Sequence, residues 1–185
     1  MKIAVIFPGI GYHTDKPLLY HSKRIAKEAG YEIVEVPYKN FPGNVRGNAE
    51  KMTQCFQIAF EQSETILAEV DFSKYDEILF ISKSVGTAVA SAYANEHGLS
   101  TRNIYYTPVA KSFDFMKQEG IVFHGTSDPW VESDAVVNGC EKLGFPLFIT
   151  ENGNHSLEIG DALVDLKNLV DIMERTKSYI LKDNK

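Results

Sequence analysis

Short apolar segments alternate with longer segments of helical periodicity along the whole chain. The apolar segments predict buried strands, which lie at about residues 3–7, 32–38, 77–81, 103–107, 121–124 and 146–150. The segments between them predict helices, at about residues 15–29, 48–70, 84–97, 133–143 and 161–180. In the last helix the pattern predicts one apolar face, formed by Leu163, Leu166, Leu169, Val170 and Met173.

Strict alternation of strands and helices predicts the fold class. Such a chain forms a parallel sheet with right-handed crossovers and helices on both faces. We therefore expect an α/β fold, a three-layer sandwich around a mostly parallel sheet of about six strands, in which residues 1–185 form a single domain. The segment between the fourth and fifth strands is too short to fold as a cap domain. Ligands of such sheets bind beyond the carboxyl ends of the strands.

Composition narrows the range of partners. The chain has 185 residues with 44% hydrophobic content, which is enough for one core. A formal net charge of −6 without a cluster of Lys and Arg argues against nucleic acid and favours a small-molecule ligand. No segment approaches the roughly 18 unbroken apolar residues of a membrane span, so we expect a cytoplasmic protein without a membrane partner. Cys55 and Cys140 have no metal-type spacing, and we expect no disulfide between them.

The segment S-K-S-V-G at residues 82–86 directly follows the third predicted strand. A strand that turns at once into a helix strains the corner residue and requires small residues two positions before and after it. Ser82 and Gly86 are small, although Ser82 replaces the first glycine of the usual G-x-S-x-G pattern. This corner would expose the Ser84 hydroxyl, with the Val85 N–H beside it to stabilise an oxyanion. The alternative is a serine that only caps the helix.

Two later loops supply the other groups that a nucleophilic serine needs. Asp128 lies in the segment H-G-T-S-D-P after the fifth strand, and His155 lies in G-N-H-S-L after the last one. A serine reacts when a histidine removes its proton and an acid orients that histidine. The chain order Ser84, Asp128, His155 is that of the α/β-hydrolase fold. Alternatively, Asp128 only initiates a turn before Pro129, and Asp114 is a substitute acid.

Together these three segments resemble those of a small α/β-hydrolase, with similarity to dienelactone-hydrolase-like members. The resemblance covers nearly the whole chain and implies a minimal α/β-hydrolase fold without a cap domain. It implies a serine hydrolase of small esters or related acyl compounds, with Ser84 as nucleophile, Asp128 as acid and His155 as base, and with no cofactor or metal. Dienelactone hydrolases use a cysteine where this chain has Ser84, so their substrate is not transferred.

The loop after the first strand, with Gly9, Ile10 and Gly11, is the counterpart of the family's second oxyanion donor. The resemblance favours the Ile10 N–H, and the N–H groups of the two glycines are alternatives, because glycine lets the backbone approach a substrate closely. The residues that we expect to contact the substrate are Gly9, Gly11, Tyr12, Lys83 and Trp130. For Lys83 we expect a position at the rim, where its ammonium either favours an acidic acyl substrate or is simply solvated.

Two hypotheses from other functional classes remain. One is a binding protein that keeps the hydrolase fold without catalysis. The other is a dinucleotide-binding protein, because Gly9-x-Gly11-x-x-Thr14 follows a strand and Glu35 ends the next one. Thr14 stands where this fingerprint requires glycine or alanine for close helix packing, which argues against the nucleotide hypothesis.

Overall fold

Six parallel strands in the order β2-β1-β3-β4-β5-β6 form the sheet of the computed structural model, which describes residues 1–182. The strands are β1 (Lys2–Phe7), β2 (Glu32–Glu35), β3 (Glu77–Lys83), β4 (Arg102–Tyr106), β5 (Gly120–Gly125) and β6 (Leu147–Thr150). The helices are α1 (Pro17–Glu28), α2 (Ala49–Leu67), α3 (Val85–Glu96), α4 (Ser133–Leu143) and α5 (Ala162–Leu181). Two short 3₁₀ helices, Phe72–Lys74 and Ala110–Asp114, were not predicted from the pattern.

Helices cover both faces of the sheet, which confirms the predicted three-layer α/β fold. Alternate strand residues point to opposite faces. Ala4 and Ile6 of β1 join a core cluster with α1 and α5, whereas Ile3, Val5 and Phe7 join one with α2 and α3. A third cluster packs α4 against β4 and β5.

The winding of the chain reverses between β1 and β3. From β1 the chain crosses through α1 to the edge strand β2, and it returns through α2 on the other face to β3, which pairs with β1 on its opposite side. Loops that leave adjacent strands in opposite directions open a crevice at the carboxyl edge of the sheet, where ligands bind in α/β folds. Here the two loops contain Gly9 and Ser84.

The predicted apolar face of α5 is wrong in the first half of the helix. Leu163, Leu166 and Val170 are exposed by 71%, 58% and 58%. The buried residues of α5, Ile172 and Ile180 among them, all lie in its second half. Leu169 and Met173 of the predicted face are partly buried and pack against the core. The helical period is therefore correct, but the side of the helix that carries Leu163, Leu166 and Val170 is left largely exposed.

The remaining expectations concern membranes and cysteines. Within residues 1–182, no helix is both long and apolar enough to cross a membrane. Cys55 in α2 and Cys140 in α4 are buried free thiols.

Candidate active site

Ser84 occupies the corner between β3 and α3 in a strained conformation. Its φ is 56° and its ψ is −126°, a combination that costs a residue other than glycine about 1–3 kcal/mol. The Ser84 N–H donates to the Tyr106 carbonyl at 3.0 Å, which ties the corner to the end of β4. The side chain makes no capping hydrogen bond to α3. Capping of the helix therefore does not explain the serine.

The end of β1 packs directly against this corner. A Cβ at Gly86 would lie 2.4 Å from the Pro8 carbonyl oxygen, and a Cβ at Gly9 would lie 3.0 Å from the Ser84 Cβ. The backbones after β1 and β3 thus touch, which requires Gly86. At the position of the missing first glycine, Ser82 fits because its buried hydroxyl donates to the Ile104 carbonyl at 3.2 Å.

Replacement of Gly86 by alanine is expected to lower the free energy of unfolding by about 1–3 kcal/mol, because the new methyl group overlaps backbone that cannot move aside. Urea unfolding followed by circular dichroism measures this change. Gly43→Ala is the matched control, since a Cβ at Gly43 would have no neighbour within 4 Å among the residues that the structure describes. Equal stability of the two variants would contradict the close packing at Gly86.

Asp128 and His155 form a hydrogen-bonded pair. His155 Nδ1 and Asp128 Oδ2 are 2.7 Å apart, and the Asp128 side chain is completely buried. The other carboxylate oxygen, Oδ1, accepts the Trp130 N–H at 2.9 Å. Asp128 therefore both initiates a turn and holds the histidine. Because a carboxylate only accepts, the imidazole proton lies on Nδ1 and the lone pair on Nε2.

The loops that carry this pair are fastened to each other. Thr126 N–H donates to the Thr150 carbonyl at 3.1 Å, and Ser127 N–H donates to the Gly153 carbonyl at 2.9 Å. A Cβ at Gly125 would lie 2.3 Å from the Gly153 oxygen, so the backbones after β5 and β6 are in contact. These contacts fix the separation of the acid and the histidine.

Asn154, which the sequence analysis did not single out, shapes the turn around His155. Its Oδ1 accepts the Ser156 N–H at 2.7 Å and the Glu158 N–H at 3.2 Å. The signal was present in the sequence, since Asn next to Gly after a strand is typical of such side-chain-closed turns.

The Nε2 atom of His155 is buried and has no hydrogen-bond partner within residues 1–182. In particular, it makes no hydrogen bond to the Ser84 hydroxyl. Catalytic hydrogen bonds of this kind are often long before substrate binds. Burial lowers the pKa of His155 below its ordinary value, and Asp128 only partly opposes this effect. The unprotonated imidazole therefore predominates at neutral pH.

Gly9 and Tyr12 close the loop after β1 by pairing with each other. Gly9 N–H donates to the Tyr12 carbonyl at 3.1 Å, and Tyr12 N–H donates to the Gly9 carbonyl at 3.3 Å. The Gly9 N–H is therefore occupied. In the described part of the chain, the N–H groups of Ile10, Gly11 and Val85 make no hydrogen bond and could meet a ligand oxygen.

The expectation that Lys83 lies at the rim is wrong, because its side chain is completely buried. Its Nζ donates to Thr107 Oγ1 at 2.6 Å and lies 4.9 Å from the centre of the Tyr12 ring. Lys83 is in phase with Leu79 and Ile81 along β3, so its side chain points into the layer of α1 and α5. The period of the strand predicts this orientation, but the charge of lysine led to the opposite expectation.

Of the other predicted contact residues, Tyr12 and Trp130 lie against site residues. The Trp130 ring lies 5.5 Å from the His155 ring, centre to centre. Gly11 is exposed at φ +68°, and a Cβ there would have no neighbour within 4 Å among residues 1–182. Asp114 is an exposed residue that pairs with Lys111, so it is not placed to serve as the acid.

The dinucleotide fingerprint does not form. Gly9 and Tyr12 close a separate turn, and α1 begins only at Pro17, so the glycines do not lead into a helix N-terminus. The Glu35 carboxylate, which would bind a ribose, instead accepts the Lys23 ammonium at 3.0 Å.

An apolar groove of about 460 Å³ lies next to the candidate site. It runs between the start of α1 and the first half of α5. Its apolar lining includes Tyr12, Leu18, Leu157, Leu166 and Leu169. Tyr12 belongs to the loop that touches the Ser84 corner, and Leu157 follows His155 closely, so the groove adjoins both sides of the site.

Comparisons with known proteins identify the fold. No model of a protein family and no curated protein matches the sequence. Among solved structures, the chain is similar to a putative hydrolase of the α/β superfamily from Xanthomonas campestris pv. campestris, with 12% identity, a TM-score of 0.69, and coverage of 96% of this chain and 99% of that one. A serine hydrolase without a lid from Xanthomonas campestris matches with 15% identity, a TM-score of 0.64, and coverage of 97% and 81%.

Est1E from Butyrivibrio proteoclasticus, solved with bound ferulic acid, matches with 14% identity, a TM-score of 0.70, and coverage of 98% of this chain and 89% of that one. Agreement at such low identity is agreement of folds. The protein has the α/β-hydrolase fold in a minimal form without a lid.

Proposed function

We propose that the protein is a serine hydrolase that cleaves small esters or related acyl compounds through an acyl-enzyme intermediate. The observation that carries the proposal is the geometry of His155. Its Nδ1 is held by buried Asp128, while its Nε2 is buried and has no hydrogen-bond partner in the described part of the chain. A histidine held in this way is a general base that lacks only its proton donor. The strained Ser84 at the same edge of the sheet is the group that would supply the proton.

The proposed reaction has two steps. In the first, His155 Nε2 takes the Ser84 proton while Oγ attacks the substrate carbonyl carbon; the tetrahedral intermediate then collapses, and the leaving alcohol takes the proton from His155. In the second, His155 removes a proton from water, which attacks the acyl group and releases the acid and Ser84. The N–H groups of Val85 and Ile10 would stabilise the negatively charged oxygen in both steps.

The surroundings of the site favour a substrate with a short apolar portion. The groove beside Tyr12 and Leu157 is lined mainly by aliphatic and aromatic side chains, which bind apolar groups by excluding water. The ferulic acid bound to Est1E is a carboxylic acid, the class of product that hydrolysis of an acyl compound releases. Both points support an acyl substrate with an apolar portion rather than a polyanion.

A fluorophosphonate probe tests the proposed nucleophile, because it labels a serine only when a base activates it. We expect a single labelled peptide, with mass spectrometry locating the label on Ser84. Ser156→Ala is the matched control: this serine adjoins His155, and its removal should leave the labelling unchanged. Label on another residue would contradict the assignment of Ser84 as nucleophile. No label, together with no turnover of short p-nitrophenyl esters, would indicate a non-catalytic binding protein.

A further inference from the structure

Lys83 is a charged residue in a position built for an apolar one. Its side chain is completely buried, and within residues 1–182 its Nζ has one hydrogen-bond acceptor, the hydroxyl of Thr107 at 2.6 Å. The Tyr12 ring, 4.9 Å away, offers a weaker electrostatic contact. Removing an ammonium group from water costs free energy that one neutral hydrogen bond does not recover. The lysine therefore lowers the stability of the fold, whereas a methionine would fill the same space without that cost.

Thr107, the partner of Lys83, is itself strained. It follows β4 with a φ of 42°, which is unfavourable for a β-branched residue. Its N–H donates to the Phe123 carbonyl at 2.8 Å, and this bond holds the strained backbone in place. In this conformation Thr107 Oγ1 accepts from Lys83 and donates to the His155 carbonyl at 3.2 Å. Two locally unfavourable residues thus meet in one chain of hydrogen bonds that ends on the candidate general base.

We propose that Lys83 is a positioning residue, which fixes the backbone of His155 through Thr107 and places a positive charge beside the Asp128–His155 pair. The inference rests on the proposed hydrolase function, since His155 is positioned for that reaction. Lys83 directly precedes the nucleophile, so one strand end would set both the corner and the histidine.

Burial makes the charge of Lys83 sensitive to pH near neutrality. The pKa of Lys83 is lowered to about 7, mainly by burial; the charges of Asp128 and Glu158 oppose this effect, and the charge of Lys16 adds to it. The charge of Lys83 in turn lowers the pKa of His155, as does His124. Lys83 and His155 therefore titrate as a coupled pair.

The direction of the coupling predicts the direction in which the pH profile moves when Lys83 is replaced. While Lys83 is protonated, its charge disfavours the imidazolium form of His155. Loss of this charge raises the pKa of His155, so the ascending limb of the pH profile of kcat/KM, which reports His155 deprotonation, moves to higher pH. A lysine with only a structural role would not move this limb.

Lys83→Met and Thr107→Val test the two residues of the hydrogen-bonded chain that ends on the His155 carbonyl. We expect Lys83→Met to lower kcat by about 10- to 100-fold with KM changed less than twofold, because a histidine out of position slows the chemical step. Its ascending limb should move to higher pH, and its Tm should equal or exceed that of the wild type. Thr107→Val should lower kcat with a smaller displacement of the limb, since the charge remains, and Thr107→Ser should restore most of kcat.

Lys16→Met is the matched control, because Lys16 also lies over the Tyr12 ring, at 5.4 Å, but is only half-buried. It should keep kcat within twofold. The proposal is overturned if Lys83→Met keeps the kcat of the wild type and the same ascending limb in the pH profile of kcat/KM. It is also overturned if the Lys83→Met variant fails to fold.

Titration of the His155 imidazole by NMR in the wild type and in Lys83→Met requires no substrate. A raised His155 pKa in the variant supports the coupling even if no ester is hydrolysed, in which case only the proposed function fails. An unchanged His155 pKa overturns the coupling even in an active enzyme.

Discussion

Replacement of Ser84 by alanine is expected to lower kcat/KM for short p-nitrophenyl esters by about 10⁴- to 10⁶-fold. In the proposed reaction the acyl-enzyme forms on the Ser84 hydroxyl, so alanine would leave only the weak catalysis that substrate binding and the oxyanion donors provide. Spectrophotometric detection of p-nitrophenol measures the loss. Ser82→Ala is the matched control: it removes a buried hydroxyl two residues away, whose hydrogen bond is to the Ile104 carbonyl. It should keep most of the activity.

A second substitution at Ser84 separates catalysis from backbone strain. Glycine tolerates positive φ at little cost, so Ser84→Gly should abolish turnover and raise the free energy of unfolding by about 1–3 kcal/mol. Alanine keeps a Cβ at the strained position and should leave stability nearly unchanged. If Ser84→Gly is less stable than the wild type, the strain at this corner is not what the φ of 56° indicates.

The sequence was sufficient to predict the parallel sheet and the turn at Ser84, because both depend on local patterns. Short apolar segments alternate with helices, which specifies parallel strands, and small residues around Ser84 permit the turn. The loops of Asp128 and His155 could be predicted to share an edge with Ser84, because parallel strands all end on one side of the sheet. The resemblance to α/β-hydrolases implied the pairing of Asp128 with His155, but the local pattern could not give its geometry, which depends on the contacts between their two loops.

Two expectations failed because the residue pattern alone does not show which side chains the fold covers. Along α5 the apolar period includes Leu163 and Leu166, but the fold leaves these side chains largely exposed. For Lys83 the strand period favoured burial, and the charge argued for solvent. The fold follows the period, and the burial of the lysine ammonium costs stability, which is the cost that the proposed positioning role would explain.

Replacement of Asp128 by asparagine is expected to lower kcat by about 10³- to 10⁴-fold without loss of the fold. Asparagine has the same shape, but its amide oxygen is needed where Oδ1 accepts the Trp130 N–H, so its NH₂ group would face His155. An NH₂ donor requires His155 Nδ1 to be an acceptor, which moves the imidazole proton to Nε2. His155 could then no longer take a proton from Ser84.

The pH profile gives this variant a second signature, opposite in sign to that of Lys83→Met. Asp128 raises the pKa of His155 through its hydrogen bond and its charge, so the ascending limb should move to lower pH while kcat falls. Asp114→Asn is the control, since this carboxylate is exposed and pairs with Lys111. Near-normal kcat in Asp128→Asn, with a loss in Asp114→Asn, would transfer the role of the acid to Asp114. Limbs displaced in opposite directions by Lys83→Met and Asp128→Asn would instead show that His155 responds to both charges.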